Sequence, residues 1–215
     1  MLEASPNVTI IDYGIGNLRS MEKALEAVGA NVLRTDDPEA ILASERVVLP
    51  GVGAFGACAD EIHLRRLEPV IHKYLATGRP FLGVCVGMQL LFTLSEEMGS
   101  HPGLDILPGK VVRFAEGATD ELGERLKVPH MGWNILTDRA ASPLLAGLPD
   151  EAYFYFVHSY HALAEKPEDV LARSPYGGHF PAVVGRGNVY GVQFHPEKSH
   201  TNGLQVLRNF LSLAN

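Results

Sequence analysis

A chain of 215 residues, 46% hydrophobic and 20% charged, has room for one domain with a real core and the make-up of an ordinary globular protein. Its net charge of −7 and its 18 scattered Lys and Arg give no nucleic-acid-binding stripe, and no apolar run is long enough to cross a membrane. Two cysteines, and an N-terminal stretch MLEASPNVTI without the basic and long apolar parts of an export signal, argue against a disulfide framework and for a reducing cytoplasm.

Val8 to Asp12 reads as a short buried strand, and Tyr13-Gly14-Ile15-Gly16 as a turn. Asn17 is a candidate N-cap for a helix over Leu18 to Val28, with Leu18, Met21, Leu25 and Val28 at helical spacing and Gly29 as the stop. Strands follow at Asn31 to Arg34 and Arg46 to Leu49. A long helical pattern covers Cys58 to Ala76, then a strand Phe81 to Val84, then a helix from Cys85 to about Leu94. This alternation predicts an α/β fold with an open, mostly parallel sheet flanked by helices.

Residues 100–150 change character, with many Gly and Pro and only short strand candidates at Lys110 to Phe114 and Trp133 to Leu136. Glu151 to Val157 is aromatic and strand-like, and Val170 to Arg173, Ala182 to Val184 and Val189 to Phe194 follow. The last has no helix before it, which predicts a smaller antiparallel portion. Gly203 to Leu213 is a closing helix. The whole of 1–215 reads as a single domain.

One junction carries chemistry. In PFLGVCVGMQLLF an apolar run ends at Cys85, with Gly83 and Gly87 on either side. G-x-C-x-G has the form of a nucleophile elbow with sulfur for oxygen. The glycines keep a tight turn clear. A cysteine at a helix N-terminus meets unpaired N–H groups and the positive end of the dipole, which favour the thiolate. The N–H of Val86 would point at the same place. The motif alone leaves open a buried cysteine in a strand-to-helix connection. Cys58, inside a helical pattern, reads as buried and inert.

A nucleophilic cysteine needs a base and an orienter. Among nine histidines, His63 and His72 lie in the long helix, and His101, His179 and His200 in loop-like sequence. His195 ends a strand and is followed by Pro196 and Glu197. Residues two apart in extended chain share a face, and Pro196 pushes His195 toward extended backbone. A Cys85–His195–Glu197 triad follows if the fold brings them together at the carboxyl ends of the strands. Taken alone, HPE is as readily a strand-ending turn. PGVGAFG, residues 50–56, has three glycines that let N–H groups face an anion, or is a flexible loop. It lacks the lysine of a phosphate loop. The two cysteines have no metal-ligand spacing, and neither a metal nor a cofactor is expected.

Together PGVGAFG, GVCVGMQLLF and GVQFHPEKS resemble the triad (class I) glutamine amidotransferases. IDYGIGNLRS, PHMGWN at 129–134 and YFVHSYH at 155–161 resemble the glutaminase subunits of imidazole glycerol phosphate synthases, from histidine biosynthesis. The resemblance spans nearly the whole chain. Residues 115–127 align with nothing and read as a family-variable loop.

The resemblance implies that Cys85 attacks the side-chain amide of glutamine, His195 moves the proton and Glu197 orients His195. It implies an oxyanion hole from Val86 and the Gly51-Val52-Gly53 loop, which in this family reorients when the synthase subunit is occupied. Gln89 and Glu97 match substrate-contacting positions, Glu97 against the α-ammonium, and His158, Ser159 and Tyr160 match the other wall. It implies no cofactor, and a heterodimer with a (β/α)8 cyclase subunit that receives ammonia through a channel. Gly16, Asn17, His130, Met131, Trp133 and Lys198 are the places to look for the docking face. Trp133 has a core reading beside that one, and GIGN reads equally as a turn with a capped helix. The alternatives are a glutaminase for pyridoxal phosphate, purine or aminobenzoate synthesis, a cysteine hydrolase or peptidase, and a non-catalytic regulatory module. IDYGIGN and PHMGWN argue against the first, Gln89 and HSYH against the second, and the intact triad against the third.

Overall fold

The computed structural model describes residues 5–119 and 123–214. Residues 1–4 of the N-terminal stretch, and 120–122 of the 115–127 segment, lie outside the described residues. Strand β1 (Asn7–Ile11), helix α1 (Leu18–Ala27), β2 (Asn31–Thr35), α2 (Pro38–Ala43), β3 (Arg46–Gly51), α3 (Phe55–Leu64), α4 (Glu68–Leu75), β4 (Phe81–Cys85) and α5 (Val86–Gln89) form the alternating part. Then come β5 (Phe92–Ser95), β6 (His101–Pro102), β7 (Leu107–Arg113), β8 (His130–Ile135), β9 (Tyr153–His158) and β10 (Tyr160–Ala164). The chain closes with β11 (Val170–Pro175), β12 (His179–Arg186), β13 (Val189–Val192), a 3-10 turn at Pro196–Lys198 and α6 (His200–Leu211).

The main sheet has seven strands in the order β11-β12-β13-β4-β3-β1-β2. From β13 to β2 all neighbours are parallel, while β11, β12 and β13 pair antiparallel. A four-stranded sheet, β10-β7-β5-β6, and the hairpin pair β8-β9 make the smaller β portion. β4 and β3 are buried at every residue, as strands covered on both faces must be. Helices α1 and α6 contact each other, as do α2 and α4. Phe154 of β9 stacks on Phe194, just past β13, with ring centroids 4.0 Å apart. A buried aromatic pair of this kind adds about 1 kcal/mol beyond the area it removes from water, and here it fixes the smaller β unit to the site edge of the main sheet.

Two expectations need correction, and one helix is new. The helix over 58–76 is two helices. Pro69 has no N–H and is tolerated only in the first turn of a helix, so the chain turns at Arg66 (φ 56) and restarts at Glu68, with Pro69 in the first turn of α4. The helix after Cys85 stops at Gln89, because the N–H groups of Leu104, Ile106 and Leu107 capture the carbonyls of Leu90 and Leu91. The chain continues as β5 instead. Helix α2 was not foreseen, although its signal is plain: Asp37 accepts from the N–H groups of Glu39 (3.4 Å) and Ala40 (3.2 Å), and Pro38 takes the first turn.

Candidate active site

β4 sits mid-sheet and ends at Cys85, whose backbone is left-handed (φ 56, ψ −113). For a residue with a side chain this costs about 1–3 kcal/mol and persists only where the surroundings impose it. Here β4 is paired on both edges, to β3 as far as Gly51↔Cys85 and to β13 as far as Val192↔Val84. The flanking glycines serve close approach of backbones. A Cβ on Gly83 would lie 2.4 Å from the Gly87 carbonyl oxygen, and one on Gly87 would lie 1.9 Å from that of Leu49. The strained elbow turns Cys85 toward a cavity of 380 Å³ that it lines with Val52, Gly53, Val86, Gln89, Pro129, Val157, His158, Ser159, Tyr160, His195 and Lys198.

Three hydrogen bonds hold His195 in place. Its N–H donates to the Tyr155 carbonyl (2.9 Å), its carbonyl accepts from the Ser199 hydroxyl (2.6 Å), and the Ser199 hydroxyl oxygen in turn accepts from the Tyr155 N–H (3.0 Å). The sequence argument expected extended chain to pair His195 with Glu197. The pairing forms, but by way of the 3-10 turn at Pro196–Lys198. His195 Nδ1 donates to Glu197 Oε1 at 2.8 Å, so Nε2 is left for Cys85, whose thiol is within hydrogen-bonding reach. Burial alone would lower the His195 pKa. Hydrogen bonds to Cys85 and Glu197, and their charges, reverse that and hold it up at about 10. Asn17, expected to cap α1, makes no capping bond. Its Nδ2 reaches Glu197 Oε1 at 3.4 Å.

Gly51-Val52-Gly53 is held from behind. The Tyr13 hydroxyl donates to the Pro50 carbonyl (2.7 Å), and Cys58 Sγ donates to the Val52 carbonyl (3.5 Å). A trans peptide points its N–H opposite its carbonyl, so the Gly53 N–H points away from Cys58. Burial raises the pKa of both the Cys58 thiol and the Tyr13 hydroxyl, which keeps each a donor. Gly51 does not line the cavity. A Cβ there would lie 2.8 Å from the Gly87 N and 2.9 Å from the Val86 Cβ, so Gly51 is where the loop rests on the elbow.

Glu97 is also absent from the cavity wall: its Oε2 accepts from the Phe55 N–H at the start of α3 (2.7 Å), where a carboxylate offsets the helix dipole. Gln89 lines the cavity, but its amide nitrogen is engaged by Tyr160 and Gln193. Of the residues singled out for docking, Met131 (66% exposed) and Trp133 (46%) project outward, and Trp133 stacks on His200 at 5.0 Å. His130 does not. It is 4% exposed, stacked between Tyr176 (3.9 Å) and Phe156 (5.0 Å), because alternation in β8 turns it inward. Gly16 is half-buried and Lys198 exposed, its ammonium 5.7 Å above the Tyr155 ring.

Gln193, Tyr13 and Ser199 escaped the sequence reading, and Cys58, read there as buried and inert, is buried but holds the Val52 carbonyl. Gln193 had a signal: it precedes His195 by two, so a strand shows both on one face. The other three act through backbone groups, which sequence spacing does not reveal.

The glutamine amidotransferase class-I family model matches residues 9–213. The chain belongs to the class-I glutamine amidotransferase family. This amidotransferase is 60% identical over 206 residues to the imidazole glycerol phosphate synthase subunit HisH of Salinibacter ruber, covering 95% of the chain and 94% of the relative. It is 52% identical over 208 residues to the HisH subunit of Methylococcus capsulatus, covering 95% of each. Among solved structures it resembles a glutamine amidotransferase (TM-score 0.69, 22% identity, 95% of this chain and 96% of that one). It also resembles PurLQS from Thermotoga maritima (TM-score 0.70, 21% identity, 96% and 98%). At that identity the likeness speaks for the fold. The curated relatives place this amidotransferase with the glutaminase subunits of imidazole glycerol phosphate synthase, in histidine biosynthesis.

Proposed function

We propose that the chain hydrolyses glutamine to glutamate and ammonia through a Cys85 thioester and delivers the ammonia to a (β/α)8 cyclase subunit. The arrangement that carries this reading is the strained Cys85 facing His195, whose other ring nitrogen is held by Glu197 at 2.8 Å. His195 Nε2 holds the proton given up by the Cys85 thiol, and the thiolate attacks the side-chain carboxamide carbon. The oxyanion is held by the Val86 N–H and an N–H of the Val52–Gly53 segment. His195 returns the proton to the departing ammonia, then activates the water that cleaves the thioester. Gln89, His158, Ser159 and Tyr160 wall the glutamine site.

Ammonia in water at neutral pH is mostly ammonium, which is no nucleophile, so a docked acceptor subunit conserves it. Met131, Trp133 and Lys198, with Gly16 and Asn17 near Glu197, would meet that partner in a heterodimer. An exposed Trp is the residue type that anchors interfaces. Among the described residues no helix is long and apolar enough to cross a membrane, and we assign the protein to the cytoplasm as a single amidotransferase domain without cofactor.

The test is glutamate release by the purified chain, alone and with a cyclase subunit loaded with its nucleotide substrate. A large rise with the loaded partner is the expected outcome. Cys85→Ala should abolish glutamine hydrolysis, by about 10³-fold or more, and spare ammonia-driven synthesis by the complex. Glutamate still released by Cys85→Ala would remove the assigned nucleophile.

A further inference from the structure

Behind the nucleophile lies a buried hydrogen-bond chain whose orientation can be read without ambiguity. Its fixed point is the Tyr160 carbonyl, which can only accept. Gln89 Nε2 lies 3.0 Å from that oxygen, so the Gln89 amide must present its NH2 there. The same NH2 lies 2.9 Å from Gln193 Oε1. Gln193 therefore accepts at Oε1 and must turn its own NH2 the other way, where it meets Cys85 Sγ at 3.8 Å. Flipping either amide would set oxygen against oxygen, or NH2 against NH2, inside the protein.

The second branch starts from the same carbonyl. His158 Nδ1 donates to the Tyr160 oxygen (2.8 Å), so its Nε2 accepts from His130 Nδ1 (3.2 Å). His130 Nε2 in turn accepts from Asn134 Nδ2 (3.3 Å). Both rings are neutral in this arrangement, and burial lowers the pKa of each. Gln193 is fully buried, Gln89 is 2% exposed, and neither shows a buried polar atom without a partner. A network satisfied throughout is rigid, because any rotation leaves a buried polar group unpaired.

We infer that Gln193 is a thiolate-stabilising residue of the glutaminase site: its side-chain N–H, locked toward Cys85 by Gln89 and the Tyr160 carbonyl, donates to the sulfur. This rests on the glutaminase reading and adds a donor to the His195–Glu197 pair. A donor pointed at sulfur favours its anion, and a bond to a charged partner is stronger than one to the neutral thiol. The ionisable groups that share this environment are His195 with Glu197 behind it, Tyr13 from the β1–α1 turn, Cys58 from α3, and His158 from β9. Gln193 differs from these in being a neutral side-chain donor that keeps its hydrogens at every working pH.

The experiment is the alkylation rate of Cys85 by iodoacetamide across pH in the full chain, read by mass spectrometry so that Cys58 is counted separately. Gln193→Met keeps length and loses the donor. Gln193→Glu keeps shape and loses it on ionising. A thermal melt confirms that each variant is folded. Both should slow neutral-pH alkylation about tenfold or more and move the profile to higher pH. Where glutamine turnover is measurable, kcat should fall and KM change little. Alkylation at the wild-type rate with an unmoved profile, in either folded variant, overturns the inference. If neither variant folds, the side-chain amide NMR signal of Gln193 in the wild type decides. A signal indifferent to pH and to alkylation of Cys85 overturns it. Alkylation does not require turnover, so a wild type that leaves glutamine intact would sink the glutaminase reading without touching this result.

Discussion

Two buried histidines on the wall of one cavity have opposite electrostatics. His195 and His158 both line the cavity over Cys85, and both are largely removed from water. Burial pushes each toward the neutral ring. At His195 the hydrogen bonds and charges of Cys85 and Glu197 overcome that push and hold the pKa up at about 10. At His158 they do not: its ring is bonded to a carbonyl and to another histidine, and burial takes it down to about 3. Burial alone does not decide what a histidine does here. What decides is whether an acid lies within reach. His195 can carry a proton during a reaction, and His158 holds a wall and a hydrogen-bond chain in one state.

The comparison breaks most sharply at Glu197. Glu197→Gln keeps the shape of the partner and removes its charge, so the His195 pKa should fall, with Cys85 alone left to oppose burial. Glutamine hydrolysis is expected to fall about 10²–10³-fold, the range that general acid–base groups contribute. Steady-state glutamate release at saturating glutamine measures this. A variant within a few-fold of wild type would mean that the carboxylate only fills space.

A second test uses stability, where the two histidines should act on opposite sides of neutrality. His158 has a folded pKa of about 3, below the ordinary unfolded value near 6.5. The unfolded chain then binds more protons in acid, and its contribution is present above about 6.5 and lost as pH falls toward the folded value. By pH 4 this amounts to on the order of 3 kcal/mol. His195 has the reverse sign: its contribution is present below about 6.5 and lost as pH rises through about 10. Urea midpoints at pH 7 and pH 4.5 for wild type and His158→Leu measure the first effect, and the difference in slope cancels the shared carboxylates. Equal acid slopes would show that His158 protonates in place.

The legibility of the molecule in its sequence divides along the same line. Cys85, His195 and Glu197 were visible because each stands at a marked junction: a glycine-flanked strand end, a strand followed by proline, and a spacing of two. The alternation before residue 95 was readable because strands buried on both faces are continuous apolar runs. The His130–His158 chain was not. His130 was expected outward and is inward, since the register of β8 against β9 depends on a pairing of 130 with 158 that no local pattern announces. Likewise the arrest of α5 at Gln89 comes from residues 104–107 reaching back, and Glu97 is drawn away from the cavity by a helix start forty-two positions earlier. Side chains set by local turns were legible, and those set by distant backbone were not.

The smallest expected effect concerns what steadies the acid. Glu197 Oε1 accepts from His195 and, at a longer 3.4 Å, from Asn17, while Oε2 has no partner among the described residues. A long bond from a half-buried amide contributes about 1 kcal/mol or less, so Asn17→Ala should slow Cys85 alkylation in the free chain only about two- to fivefold. Using the free chain matters, because Asn17 is also a candidate docking residue and lost partner affinity would mimic a slower reaction. The His195 bond to the same oxygen is shorter and enclosed, and should hold the carboxylate by itself. A fall in alkylation as large as Glu197→Gln gives in the same assay would instead mean that the carboxylate swings free without Asn17. The raised His195 pKa would then depend on a three-residue unit that includes the turn before α1.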